Sequence, residues 1–170
     1  MKNRHWVLIT LLFVATNGMG HPMPHSIFSF DVKSDEIWAD LKIPLKELQF
    51  AMPFDTTEQP ESLLADGRRQ QLVDYFLAHI RLMTELGQDW KVEITDMSVE
   101  ETEQEATGRY EELTIQFLLQ PPPNAPVRNF VLHYDAILHQ VVTHKVFVTL
   151  KQDWQNGYTH GIEKSLGVIE

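Results

Sequence analysis

The chain has 170 residues, no cysteine, and 24 acidic against 14 basic side chains, for a formal charge of −10. The missing cysteines exclude disulfides and a cysteine-linked lipid anchor, so an exported domain would be held by its apolar core alone. The negative balance argues against nucleic acid and anionic lipid as partners.

Lys2 and Arg4 precede an apolar stretch over residues 6–15, broken only by Thr10, and then the small, polar segment T-N-G-M-G at 16–20. This is the layout of a secretory signal peptide. Its apolar core of about ten residues is too short to cross a bilayer as a helix. Gly18 and Gly20 suit the −3 and −1 positions, which puts cleavage before His21. Removing residues 1–20 from the 170 leaves 150 residues, the length of one domain. With Lys2 and Arg4 gone, 24 acidic residues face 12 basic ones, a balance of −12. The expectation is a single extracytoplasmic domain over residues 21–170, periplasmic or elsewhere in the cell envelope.

Residues 27–32 alternate, with Phe28, Phe30 and Val32 on one face. Lys33, Ser34, Asp35 and Glu36 read as a turn. Ile37, Ala39, Leu41 and Ile43 then alternate against Trp38, Asp40 and Lys42, which predicts a β-hairpin. Pro44 stops the ladder, and Leu45, Leu48 and Met52 sit at near-helical spacing, so a short helix follows. Residues 55–61 are a polar loop. Over residues 67–83 the period changes: Leu72, Val73, Phe76, Leu77 and Ile80 share one helical face, and His79 lies at its apolar edge as a packed or half-exposed side chain.

Trp90, Val92 and Ile94 begin a strand that runs to about Val99. The acidic run at 100–105 reads as a hairpin tip or loop, without the ligand spacing of a calcium site. Tyr110, Leu113, Ile115, Phe117 and Leu119 mark the next strand. The proline-rich segment 121–126 is a short, stiff link within one domain. Residues 131–154 hold two more strands, around Leu132 and around Val148. The apolar connection between them, A-I-L-H-Q-V-V-T, is expected to pack rather than dangle. An Asn156–Gly157 turn follows, and residues 166–170 look like the start of a last strand. In sum the pattern predicts a mainly β chain, an antiparallel β-sandwich with one inserted amphipathic helix. An immunoglobulin-like arrangement is one form of this, although no Cys–Trp–Cys pattern marks it.

His21, if it is the mature first residue, offers its α-amine and its ring nitrogen to one metal ion. Pro22 has no backbone N–H to compete as a ligand. A third nitrogen from a distant histidine would complete a T-shaped set, which favours Cu(II) and then Ni(II). His139 and His144, in the apolar connection and at its end, are the candidates for it. Met23 and His25 are close in sequence and could contribute. The competing reading is that these histidines only hydrogen-bond a carbonyl or a carboxylate such as Asp135; His133 and His160 are read that way. There is no H-E-x-x-H and no G-x-S-x-G, so neither a zinc protease nor a nucleophile elbow is indicated.

The segments H-P-M-P-H-S, F-S-F-D-V, L-K-I-P-L-K-E-L, F-L-A-H-I-R and above all D-A-I-L-H-Q-V-V-T-H-K-V-F-V-T-L-K-Q-D-W resemble the extracytoplasmic N-terminal region of HupE/UreJ-like membrane proteins, over nearly all of residues 21–170. Members continue into a multi-helix membrane domain and are linked by name to nickel and to hydrogenase or urease accessory proteins. The resemblance implies a domain that faces outward from a membrane protein and handles a transition metal; joined to the His21 nitrogen set, it gives the expectation of a non-enzymatic accessory domain that binds or presents copper or nickel. The membrane domain of the same or a partner protein is its implied partner. Position 25 is His here where Asn is expected, so the ligands carried over are His21, His139 and His144. The chain ends before any membrane helix, which makes it a fragment or a free-standing relative on this reading.

Overall fold

In a computed structural model of the chain, residues 24–104, 107–154, 156–158 and 163–170 are described. The alternation over residues 27–43 forms the expected hairpin. β1 (Ser26–Val32) and β2 (Ile37–Pro44) pair antiparallel, with Phe28, Phe30 and Val32 opposite Leu41, Ala39 and Ile37, all buried. The Lys33 N–H donates to the Glu36 carbonyl at 2.9 Å and closes the turn. Pro44 has no N–H to continue the ladder, and the single turn α1 (Leu45–Leu48) starts directly after it, burying Leu45, Glu47 and Leu48.

A 3-10 turn at Pro60–Ser62 leads to α2 (Asp66–His79), which buries Leu72 and Phe76. The helix expected over 67–83 stops four residues early. Ile80–Met83 is instead β3, paired antiparallel with β6 (Val131–Tyr134). Ile80 and Leu82 fit period two as well as a helix face, and a partner strand that satisfies their backbone decides between the two.

β4 (Lys91–Gln104) and β5 (Gly108–Gln120) form a long antiparallel hairpin. The acidic run expected as a hairpin tip or loop leads to the turn of this hairpin but continues β4 as far as Gln104: Glu100, Glu101 and Glu103 stand opposite Glu112, Glu111 and Arg109. Arg109 lies 3.5 Å from Glu101 and 3.8 Å from Glu103, and Lys42 lies 3.1 Å from the buried Glu112. A ladder needs only backbone donors and acceptors, so these charges tolerate it while they remain solvated or paired. Gly108 takes the positive φ of 74° with which β5 begins.

β7 (Val146–Asp153) and β8 (Lys164–Ile169) complete a six-stranded sheet in the order β4-β5-β2-β1-β7-β8. Among the described residues the chain is mainly β with one substantial helix, as its periodicity predicts. Within the sheet one neighbouring pair, β1 and β7, runs parallel, from Ser26 opposite Val146 to Val32 opposite Asp153. One face of the sheet contributes Phe28, Leu41, Ile43, Ile115 and Phe117 to a core that α2, the β3–β6 sheet and the loop after β6 supply from the other side. Phe28 meets Phe117 at 5.7 Å and Tyr134 at 6.1 Å between ring centroids, and Phe30 meets Phe130 at 5.9 Å. The two-layer packing is sandwich-like. Among the described residues no helix is long and apolar enough to cross a membrane.

Candidate functional site

The first part of the connection between β6 and β7 packs as its apolar composition predicts, whereas His139, Gln140, Val142 and Thr143 are exposed, Val142 at 86 %. Ala136 and Ile137 are fully buried. The chain folds back on itself at Ile137, whose φ is +64°. A β-branched residue reaches that region only when its surroundings hold it there. Here the buried side chain and a 2.7 Å hydrogen bond from the Ile137 N–H to the Tyr75 hydroxyl do so. The N–H groups of Gln140 and Val141 both donate to the Ile137 carbonyl at 2.8 Å, and that of His144 donates to Val141 at 3.0 Å.

The two histidines of this region acquire different partners. His139 is exposed. Its Nδ1 lies 3.0 Å from its own Asp135 carbonyl oxygen, and its ring stacks on His79 at 4.4 Å and 6°. His79 Nδ1 is 2.7 Å from Asp135 Oδ1, and Tyr75 flanks His79 at 4.5 Å. His79 is therefore the packed, half-exposed side chain its position at the helix edge predicts.

His144 is buried between β1 and α1. Its Nε2 is 2.9 Å from Ser26 Oγ at the start of β1, and its Nδ1 is 3.3 Å from Glu47 Oε2 on α1. The parallel pairing of β1 and β7 begins at Ser26 and Val146 and so sets this spacing. The His144 and Glu47 side chains are each 1 % exposed. The second Glu47 oxygen, Oε1, is buried without a hydrogen-bond partner, a costly arrangement that marks a place where another group could act as donor or ligand.

Next to this trio a cavity of about 310 Å³ is lined by Pro24, His25, Glu47, Thr143, His144, Lys145 and Phe147. The His25 ring packs on Phe147 at 4.3 Å. Burial, and then the neighbouring His144, hold the His25 imidazole below its ordinary pKa, which favours the neutral ring that a metal ion requires.

Ser26, His144 and Glu47 have the connectivity of a Ser–His–acid triad. Ser26 is fully buried, however, and does not line the cavity. Its N–H is committed to the Lys145 carbonyl at 3.1 Å. The acid end of the trio, rather than the hydroxyl, faces the open space, which is the reverse of what nucleophilic attack needs.

Of the three ligands expected from the sequence, His21 lies outside the described residues, His144 reaches the cavity, and His139 stacks on His79. Among the described residues no three His, Asp or Glu side chains form a group that could hold a metal ion. Glu47 had no sequence signal, since a glutamate in L-K-E-L after a proline reads as a solvated position. His25, a secondary candidate from its closeness to His21, lines the cavity beside His144. His133 is exposed on β6 opposite Arg81, and His160 lies outside the described residues.

A scan against protein-family models gives no match for this chain, and a search of curated proteins gives none either.

Proposed function

We propose that this chain is an exported, non-enzymatic accessory domain of HupE/UreJ-like type that binds or presents a transition metal, copper or nickel, to a membrane partner. The observation that carries this reading is the cavity shared by His25, His144 and the unpartnered Glu47 oxygen at the point where the chain enters β1. His21 is three residues upstream of Pro24, which lines that cavity. Three extended residues span at most about 11 Å, so a terminus at His21 is tethered within reach of it. The imidazole and carboxylate donors fit Cu(II) or Ni(II), and a bound ion would supply a positive centre for the buried carboxylate. His21 and His144 are the ligands of this reading, with His25 and Glu47 beside them; His139 drops to a structural role.

A protein-interaction domain with structural histidines is the second reading. It is favoured by one observation: both ring nitrogens of His144 already have partners in Ser26 and Glu47.

Isothermal titration with Cu(II) and Ni(II) separates the two. The protein beginning at His21 is compared with His21→Ala, with a form extended by one Met, and with His139→Ala. The metal reading expects binding that survives His139→Ala and falls at least tenfold in the other two. Equal affinity in all four removes the terminal site and leaves the interaction domain.

A further inference from the structure

The face of the six-stranded sheet turned away from the core carries a shallow hollow of about 370 Å³, lined by Asp31, Lys33, Trp38, Asp40, Gln116 and Lys151. It is assembled by register. Trp38 stands opposite Asp31, and Asp40 stands between Ser29 on one neighbouring strand and Gln116 on the other. The feature that needs a reason is aromatic. Trp38 is 39 % exposed and Trp154, beside it across Asp31, is 49 % exposed. Both indoles are held in place by a carboxylate: Trp38 Nε1 donates to Glu36 Oε1 at 2.8 Å, and Trp154 Nε1 donates to Asp31 Oδ1 at 3.2 Å. A large apolar ring fixed in position while open to water is a platform.

The polar groups around the platform select its ligand. Asp31 and Asp40 are acceptors; Lys33, Lys151 and the Gln116 amide are donors. The charges are balanced in pairs, Lys33 with Asp31 at 2.6 Å and Lys151 with Asp40 at 3.3 Å. Two carboxylates in the hollow, and the chain's charge of −10, disfavour phosphate and nucleic acid. A quaternary ammonium is disfavoured too, because both carboxylates of the hollow are already neutralised by Lys33 and Lys151, which leaves no net negative charge to hold it. The complement of a flat ring edged by alternating donors and acceptors is a neutral polyol with an apolar face.

We propose that this face is a binding site for a neutral oligosaccharide, with one pyranose ring laid on Trp38 and its hydroxyls bonded by Asp31, Asp40, Gln116 and Lys151. The C–H face of the sugar covers the indole, and each hydroxyl, being donor and acceptor at once, finds a partner of either kind. This site is separate from the His25–His144 cavity and does not depend on the metal reading.

The test is a titration of the chain with cellotriose and with triacetylchitotriose, followed by tryptophan fluorescence and calorimetry. The expected result is saturable binding of at least one of them, with a dissociation constant between about 10 μM and 1 mM. Trp38→Ala should weaken it at least tenfold, Trp38→Phe less, and Phe50→Ser, at an exposed aromatic in the turn after α1, not at all. Circular dichroism checks that each variant is folded; Gln116→Ala, an exposed strand position, supplies a second loss should Trp38→Ala fail to fold. No saturable change up to about 10 mM of either sugar, binding indifferent to both Trp38 and Gln116, or tighter binding of tetramethylammonium than of either sugar would each overturn the proposal.

Discussion

Replacing His144 with Ala should destabilise the fold more than any surface change. The imidazole bonds Ser26 and lies against Glu47, and both it and Glu47 are 1 % exposed. Without the ring, Glu47 Oε2 joins Oε1 as a buried oxygen with no partner, and Ser26 keeps a buried hydroxyl with none. Removing one member of a buried pair costs about 3–5 kcal/mol, because the other is left in a medium that cannot solvate it. In a domain of this size each kcal/mol moves the midpoint by about 2–4 °C, so a fall of about 6–20 °C is expected. Glu47→Gln retains an acceptor for the ring and should cost only about 1 kcal/mol. Replacing both Glu47 and His144 with Leu leaves Ser26 alone unsatisfied, at about 1–3 kcal/mol, so the double variant should be more stable than His144→Ala. Urea unfolding followed by circular dichroism measures all three. A loss below about 1 kcal/mol in His144→Ala, or a double variant no more stable than it, would refute the view that the stranded carboxylate sets the cost.

Two further expectations concern the ends of the loop and of β7. The Arg128 guanidinium, with Nε 3.0 Å from Asp153 Oδ2, and the Asn156 side chain pull the Asp153 carboxyl down to about 2. A carboxyl whose folded value is depressed stabilises above its unfolded value, near 4, and loses that contribution as pH falls from about 4 to 2. After allowance for solvent screening this is about 1–2 kcal/mol, and Arg128→Ala should flatten the acid limb of a stability–pH curve over that window while lowering stability at neutral pH. Tyr75→Phe removes the acceptor of the Ile137 N–H and should cost about 1–3 kcal/mol; faster hydrogen exchange at the Ile137 amide would report it directly, and unchanged exchange would mean that packing alone holds the turn.

The β1–β2 hairpin was legible because its apolar residues alternate without a break and Pro44 closes it. The helix was legible from Leu72 to Phe76, where only one period fits, but not at Ile80 and Leu82, where two do. Partner choice then decides, and β6 lies about fifty residues further along the chain. The acidic run misleads in the same way: charge predicts solvation, not the absence of a ladder. The apolar connection could be read as packed, yet not that it would send His139 to α2 and His144 to α1 and β1. Side-chain spacing within a strand or helix is local, whereas Ser26 and His144 are neighbours only through the β1–β7 pairing, which no periodicity announces. The neutral pairing of Asp40 with Lys151 on the open face was hidden for the same reason.

The β1–β7 pairing has a temporal side. Among the described strands β1 comes first in the chain, and the edge that β7 covers can be filled only once β7, more than a hundred residues later, lies beside it in the same direction. Contacts of such sequence separation close slowly. A chain threading through a narrow channel N-terminus first would therefore hold only its leading hairpin while most of its length followed, and would lock its central strand in place near the end of the passage. Shuffling the order of β1 and β7 by circular permutation would shift that timing without altering the finished sheet.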